Sequence, residues 1–138
     1  MPDTTKTGNM MNKAIALRET KQDIISGTPE QSLDMVLSHS SPATLIQSFA
    51  EEDFYFLIHH IGVEDAVSVL SLAASDQWGY ILDLEVWRED RLDVASMTKW
   101  LQTLLLADKQ RTVRWLLTER LEFTELYLLK NICKYDKF

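Results

Sequence analysis

Glycine and proline are scarce, at four and three in 138 residues. With so few backbone breakers the chain is biased towards helix. Its single cysteine, Cys133, excludes an internal disulfide, which agrees with a reducing cytoplasm. Without a neighbouring partner for nucleophilic or metal chemistry, that thiol is expected to be inert. No stretch approaches the ~18 uninterrupted apolar residues of a membrane helix. The polar run Met1 to Met10 lacks the apolar centre of a secretion signal. Positive charge is missing from the middle: between Gln22 and Trp87 there is no lysine or arginine, and eleven carboxylates give that block −11. Residues 1–21 and 88–138 each carry +2, which returns the net −7. An acidic block of this kind argues against nucleic acid and anionic membrane surfaces, both of which select lysine and arginine. Apolar residues are nonetheless plentiful, at 46%, enough for a packed single domain.

What the acidic block does contain is a repeat of twelve residues. Glu51–Gly62, Val63–Ala74 and Ser75–Val86 align position by position. Glu52, Glu64 and Asp76 fall together, as do Asp53, Asp65 and Gln77. The apolar pairs Leu57/Ile58, Val69/Leu70 and Ile81/Leu82 follow at a fixed distance, and one unit earlier Leu45 and Ile46 sit over Ser41 in the same register. Self-similarity at a short period marks stacked helices, none of which buries its apolar face alone.

Around the repeat, the spacing predicts a loose tail over 1–8 and a single all-helical domain over 9–138. Its array spans about 31–87 and longer helices occupy 93–132. The first helix runs from Asn9 to about Ser26 with Met11, Ala14, Ile15, Arg18 and Ile25 on one stripe, closed by Gly27. Thr28 caps and Pro29 opens the next helix, with Leu33, Val36 and Leu37 inward, and Ser41-Pro42 repeats the device. Trp87–Arg91 is a polar break. Asp93 caps a longer helix with Val94, Met97, Leu101, Leu104 and Leu105 on one face. Asp108 caps another with Thr112, Trp115, Leu116 and Arg120, and Thr124 a last one with Tyr127, Leu128 and Ile132.

The run Ser41-Pro-Ala-Thr-Leu-Ile, then Glu52-Asp53 with Leu57-Ile58, Val63-Glu64-Asp65-Ala66 with Val69-Leu70, and Asp76-Gln77 with Ile81-Leu82 resembles the helical N-terminal domain of MgtE-type magnesium transporters. It is similar too to the middle segment of flagellar switch proteins, and the chain resembles part of a longer uncharacterised bacterial family with the same array. The resemblance covers about residues 40–87 and implies a right-handed superhelix of short helices. It implies no transport, because the membrane domain and the nucleotide-binding pair that accompany gating have no counterpart here.

Three sets of residues are weighed for chemistry. Glu51, Glu52, Asp53, Glu64 and Asp65 offer hard oxygen ligands for Mg²⁺, and the resemblance implies cation sensing by such groups. Acids at helix starts also serve capping and the helix macrodipole, which is the plainer reading, so no metal or cofactor is expected and Glu52, Asp53, Glu64 and Asp65 form the alternative set. Of the histidines His39, His59 and His60, the adjacent pair points about 100° apart on a helix and cannot chelate one ion. His60 aligns with apolar Leu72 and Leu84 and is expected to be partly buried, His59 exposed. Phe54, Tyr55, Phe56, Trp78, Tyr80, Trp87, Trp100 and Trp115 either alternate in size within the core, as Phe54, Ala66 and Trp78 do, or form a recognition surface. No phosphate loop, nucleophile–base pair or catalytic triad order is present, so an enzyme is not expected. The expected protein is an all-α cytoplasmic module for protein–protein interaction or scaffolding, the alternative a Mg²⁺-responsive regulator. The helix Leu121–Ile132, apolar on several faces, is expected to form a homodimer or to contact a further part of the same protein.

Overall fold

The computed structural model describes residues 4–135, with side chains placed for Gly8 and for residues 10–132. Cys133, for which an inert thiol was expected, lies outside the described side chains. Among the described residues the order is α1 Thr4–Ser26, α2 Pro29–Leu37, α3 Pro42–Gln47, α4 Glu51–Ile61, α5 Val67–Leu72, α6 Ser75–Glu85, strands β1 Trp87–Arg88 and β2 Arg91–Leu92, then α7 Val94–Ala107, α8 Lys109–Thr118 and α9 Leu121–Tyr135. The chain is therefore all-α apart from one short hairpin. Of successive helices α1 packs on α2, α2 on α3, α6 on α7, α7 on α8 and α8 on α9, and next-but-one neighbours pack too: α2 on α4, α3 on α5, α4 on α6, α5 on α7 and α7 on α9.

The helix starts follow local chemistry. Thr28 accepts from the Gln31 backbone N–H while the Gln31 side chain accepts from the Thr28 N–H, and Pro29 occupies the first helical position. Asp93 and Asp108 accept from Ser96 and Arg111 N–H groups. Ser41 precedes Pro42 without capping by its side chain. Gly27 follows α1 but does not take up the left-handed conformation expected of a terminal cap; among the described glycines Gly62, which ends α4, has positive φ (100°). Thr124 is no cap either, because α9 starts three residues earlier at Leu121.

Thr124 instead belongs to a set of joints. It is the fourth residue of α9, and its hydroxyl donates to the Leu116 carbonyl near the end of α8 (3.0 Å). Thr112, fourth in α8, donates to Leu104 O at 2.9 Å. Ser32, fourth in α2, donates to Ile24 O, and the Trp78 indole, fourth in α6, to Leu70 O at 2.8 Å. Each bond spans eight residues and ends on a carbonyl near the close of the preceding helix; Leu70 O and Leu104 O accept from Ala73 N–H and Asp108 N–H as well, and so serve two donors each. Ser32, Trp78 and Thr112 are buried, so these joints are sealed from water.

The dodecad pairs Leu57/Ile58, Val69/Leu70 and Ile81/Leu82 are all buried, as are Leu45 and Ile46. The units are not equal, however: Val63–Ala66 form a turn, so α5 has six residues against eleven in α4 and α6. Gln77, aligned with two acids, is buried: its amide oxygen accepts from Ala74 N–H and its nitrogen donates to Ile46 O (2.9 Å) and Phe49 O (3.1 Å), stitching α6 to α3.

Two elements depart from expectation. Helix α1 begins at Thr4, inside the segment expected as tail, and of the expected Met11–Ile25 stripe only Ile25 packs on the core. Ile24 is buried, Leu17 and Lys21 are half-buried, and Met11, Ala14, Ile15 and Arg18 face solvent. At 100° per residue the two faces lie roughly 100° apart. The polar break is a two-residue β-hairpin, Trp87 opposite Leu92 and Arg88 opposite Arg91, with Glu89 and Asp90 both at positive φ (49° and 65°). Two positive φ values in a two-residue loop match the twist of the flanking strands, the pattern of a type I′ turn.

Candidate functional site

The acids of the repeat stay apart from one another as ligands. Glu52 and Asp53 lie in the first turn of α4, Glu64 and Asp65 in the turn before α5, and all four are exposed. Among the described residues no three His, Cys, Asp or Glu side chains form a group able to hold a metal ion. The caps themselves are Ala50, Ala66 and Ala74, so the acids do not cap by side chain. Glu51, Glu52, Asp53 and Asp76 sit one to three residues inside, where the helix dipole favours negative charge.

The histidines do gather polar partners. His60 is half-buried, stacks on Phe56 and donates Nε2–H to Gly27 O at 2.7 Å, which holds α4 against the α1–α2 turn. His39 accepts from Ser41 N–H at Nδ1 (3.0 Å). His59 is exposed as expected, yet it reaches a partner 26 residues away: its Nε2 lies 2.7 Å from Glu85 Oε1, the oxygen that also accepts from the Tyr55 hydroxyl at 2.8 Å. Tyr55 and Trp100 set their rings edgewise on His59 at 4.6 and 6.3 Å between centroids. A cavity of about 150 Å³ opens between His59, Val63, Glu85, Ser96, Lys99 and Trp100, where α4, α6 and α7 meet.

This cluster clamps α4 to α6 through Glu85. Burial, then the hydrogen bond to Glu85 and the negative charges of Glu85 and Tyr80, push the Tyr55 hydroxyl up to about 12. It therefore remains a protonated donor at neutral pH. The Ser96 hydroxyl donates to Asp93 Oδ2 (2.8 Å), and that bond is the leading cause holding the Asp93 carboxyl below its ordinary range. Neither hydroxyl is prepared as a nucleophile.

Of the aromatic residues, Phe54, Trp78, Trp100 and Trp115 are buried, so the Phe54–Ala66–Trp78 alternation belongs to the core. Arg111 lays its guanidinium 4.0 Å from the Trp78 ring, with burial lowering its basicity, and Arg120 covers Trp115 and pairs with Asp83 at 3.1 Å. Sequence spacing has no means of finding these cation–π contacts.

The outward side of the last three helices is unusually apolar. Phe123 is buried and Leu126 and Tyr127 are half-buried, the latter bonded to Thr98, so α9 has a definite inner face. Leu128, Leu129 and Ile132 point away from it and are more than half exposed, Leu117 of α8 likewise, and Leu106 of α7 is 77% exposed. Beside α9 an open groove of about 610 Å³ runs between Asp83, Trp87, Glu119, Arg120, Leu121, Glu122, Phe123 and Leu126. Among the described residues no helix is long and apolar enough to cross a membrane.

The family of unknown function DUF6178 matches residues 9–134, nearly the whole chain, and the chain belongs to it. No curated protein and no solved structure matches. Neither the MgtE-type N-terminal domain nor the flagellar switch segment is linked to the chain by these comparisons.

Proposed function

We propose that this member of the DUF6178 family is a module for protein–protein interaction or scaffolding, acting in the cytoplasm and built as a superhelical array of short helices. The observation that carries the reading is the row of exposed leucines and isoleucine on α7, α8 and α9. A helix that buries one face in its own core and leaves Leu128, Leu129 and Ile132 in water loses free energy of the order of 25 cal/mol per Å² left uncovered. A partner surface recovers it, whether that partner is a different protein or a second copy meeting the C-terminal helices. Packing between next-but-one helices and the buried dodecad pairs support the array, in the right-handed sense of the domains the sequence resembles.

Affinity capture with the full chain as bait tests the reading. A stoichiometric partner retained by the wild type and lost on Leu128→Asp/Leu129→Asp supports it, with helical content checked by circular dichroism. Equal capture by both baits removes this face from the argument. The Mg²⁺-responsive alternative has no gathered ligand set behind it, since Glu52, Asp53, Glu64 and Asp65 stand apart in solvent. The expected melting temperature in millimolar Mg²⁺ is accordingly unchanged.

A further inference from the structure

We propose that helix α1 of one copy docks into the groove beside α9 of a second copy, and that the reciprocal contact closes a two-fold dimer. This contact is separate from the Leu128–Ile132 face and stands or falls apart from it. Two features of the same chain are left incomplete, and their chemistries complement each other.

The first is the overhang of α1. Leu17, Lys21 and Ile24 tie its C-terminal half to the body, where α2 packs on it, while Met10, Met11 and Ile15 are 71%, 61% and 50% exposed. Met11, Ala14, Ile15 and Arg18 fall within an arc of about 100°, the width of a docking stripe. A helix held at one end gains little from its own propensity over the remaining turns, so an apolar stripe there calls for cover from outside.

The second is the groove. Its floor is aromatic and aliphatic: Trp87 set edgewise on Phe123 at 6.1 Å between centroids, with Leu121 and Leu126. Its rim is acidic, with Asp83, Glu119 and Glu122 against Arg120 alone. The α1 overhang answers both. Its methionines are adaptable and pack well on aromatic edges, and Arg18 places a positive charge on the stripe itself. Stripe and groove are different surfaces, so one contact is head-to-tail; two such contacts related by a two-fold axis close the assembly without leaving a free end.

Sedimentation equilibrium of the full chain from low micromolar to hundred-micromolar concentration tests this. The expected result is a reversible dimer, weakened at least about tenfold by Ile15→Asp and by Leu121→Asp, both exposed positions that leave the fold intact. Arg18→Glu and Glu122→Lys should each weaken it, and the double exchange should recover part of the loss. The decisive arm mixes Ile15→Asp chains with Leu121→Asp chains. A mixed pair keeps one intact stripe and one intact groove, so it should associate more tightly than either variant with itself. A monomer throughout the range overturns the proposal, leaving the stripe to some other partner. So does a dimer indifferent to Ile15→Asp, or one that loses association with Ile15→Asp but not with Leu121→Asp, which would pair α1 with α1. A dimer abolished only by Leu128→Asp/Leu129→Asp would support the outer-face reading and overturn this one.

Discussion

Gly79 lies inside α6, where glycine costs about 1 kcal/mol relative to alanine. The structure supplies a reason for that cost. A β-carbon at position 79 would overlap the Arg120 Nη2 atom and stand 3.2 Å from its Cζ. The guanidinium meets the glycine with Nη2 foremost, pairs with Asp83 and covers Trp115 at 5.5 Å. Gly79→Ala gains about 1 kcal/mol of helix propensity. By pushing Arg120 away it loses roughly 0.5–1 kcal/mol of cation–π contact and 0–1 of a half-exposed ion pair. The net effect in the wild type is therefore within about 1 kcal/mol of zero. In an Arg120→Ala background the obstacle is gone, and the same substitution should stabilise by about 1 kcal/mol. Urea unfolding of the four proteins, with m-values compared to exclude a change in the unfolded state, gives the coupling, expected at about 0.5–2 kcal/mol. Gly79→Ala effects equal in both backgrounds to within about 0.3 kcal/mol would refute the idea that Arg120 keeps this position glycine.

Leu70 is buried at the centre of the repeat and its carbonyl receives the Trp78 indole, so Leu70→Ala should cost about 2–5 kcal/mol in the same assay; an unchanged midpoint would remove the dodecad pairs from the core. Glu89 and Asp90 hold positive φ without being glycine or asparagine, and Glu89→Asn/Asp90→Gly should raise stability by about 1 kcal/mol, read as a shift of the thermal midpoint. Tyr55 titrates near 12 in the fold and near 10 when unfolded, so the folded state favours its neutral form. Its contribution is complete below pH 10 and is lost as pH rises from about 10 to 12, by about 1–2 kcal/mol after allowance for its partial exposure. The stability advantage of the wild type over Tyr55→Phe should shrink across that window, and an advantage constant from pH 9 to 12 would contradict the clamp.

The parts of the fold legible in the sequence are those set by neighbours along the chain. Thr28-Pro29, Asp93 and Asp108 act within three residues of themselves, and the dodecad pairs repeat at fixed spacing, so their burial follows from pattern alone. The buried face of α1 was hidden because a lysine lies in it. Lys21 packs its stem along the body, places its ammonium 5.7 Å from the Phe49 ring centre and donates to Ser48 O, which turns a polar letter into an inward residue. The hairpin was hidden for the opposite reason, as its turn lacks the glycine that normally announces one. Gln77 read as one more polar helix start because nothing local reveals that its amide closes two carbonyls some thirty residues back, Ile46 O in α3 and Phe49 O just beyond it. The His59–Glu85–Tyr55 cluster joins residues 26 and 30 apart, and only the packing of α4 on α6 and α7 brings it together.

The four joints bear on how the candidate surfaces arise. At each, a hydroxyl or indole at the fourth helical position takes up a carbonyl from the end of the helix before, so polarity at the bends is satisfied inside the protein. Among the described residues no buried side-chain nitrogen or oxygen is left without a partner. The bends are thus held by internal bonds, each worth about 0.5–1.5 kcal/mol net, rather than by residues on the outer faces. The outward positions of α1, α7, α8 and α9 are then free of structural duty. Leu106, Leu117, Leu128 and Leu129 cannot be explained as parts of the core, and exposed leucines in such number on adjoining helices are what a partner-binding face requires.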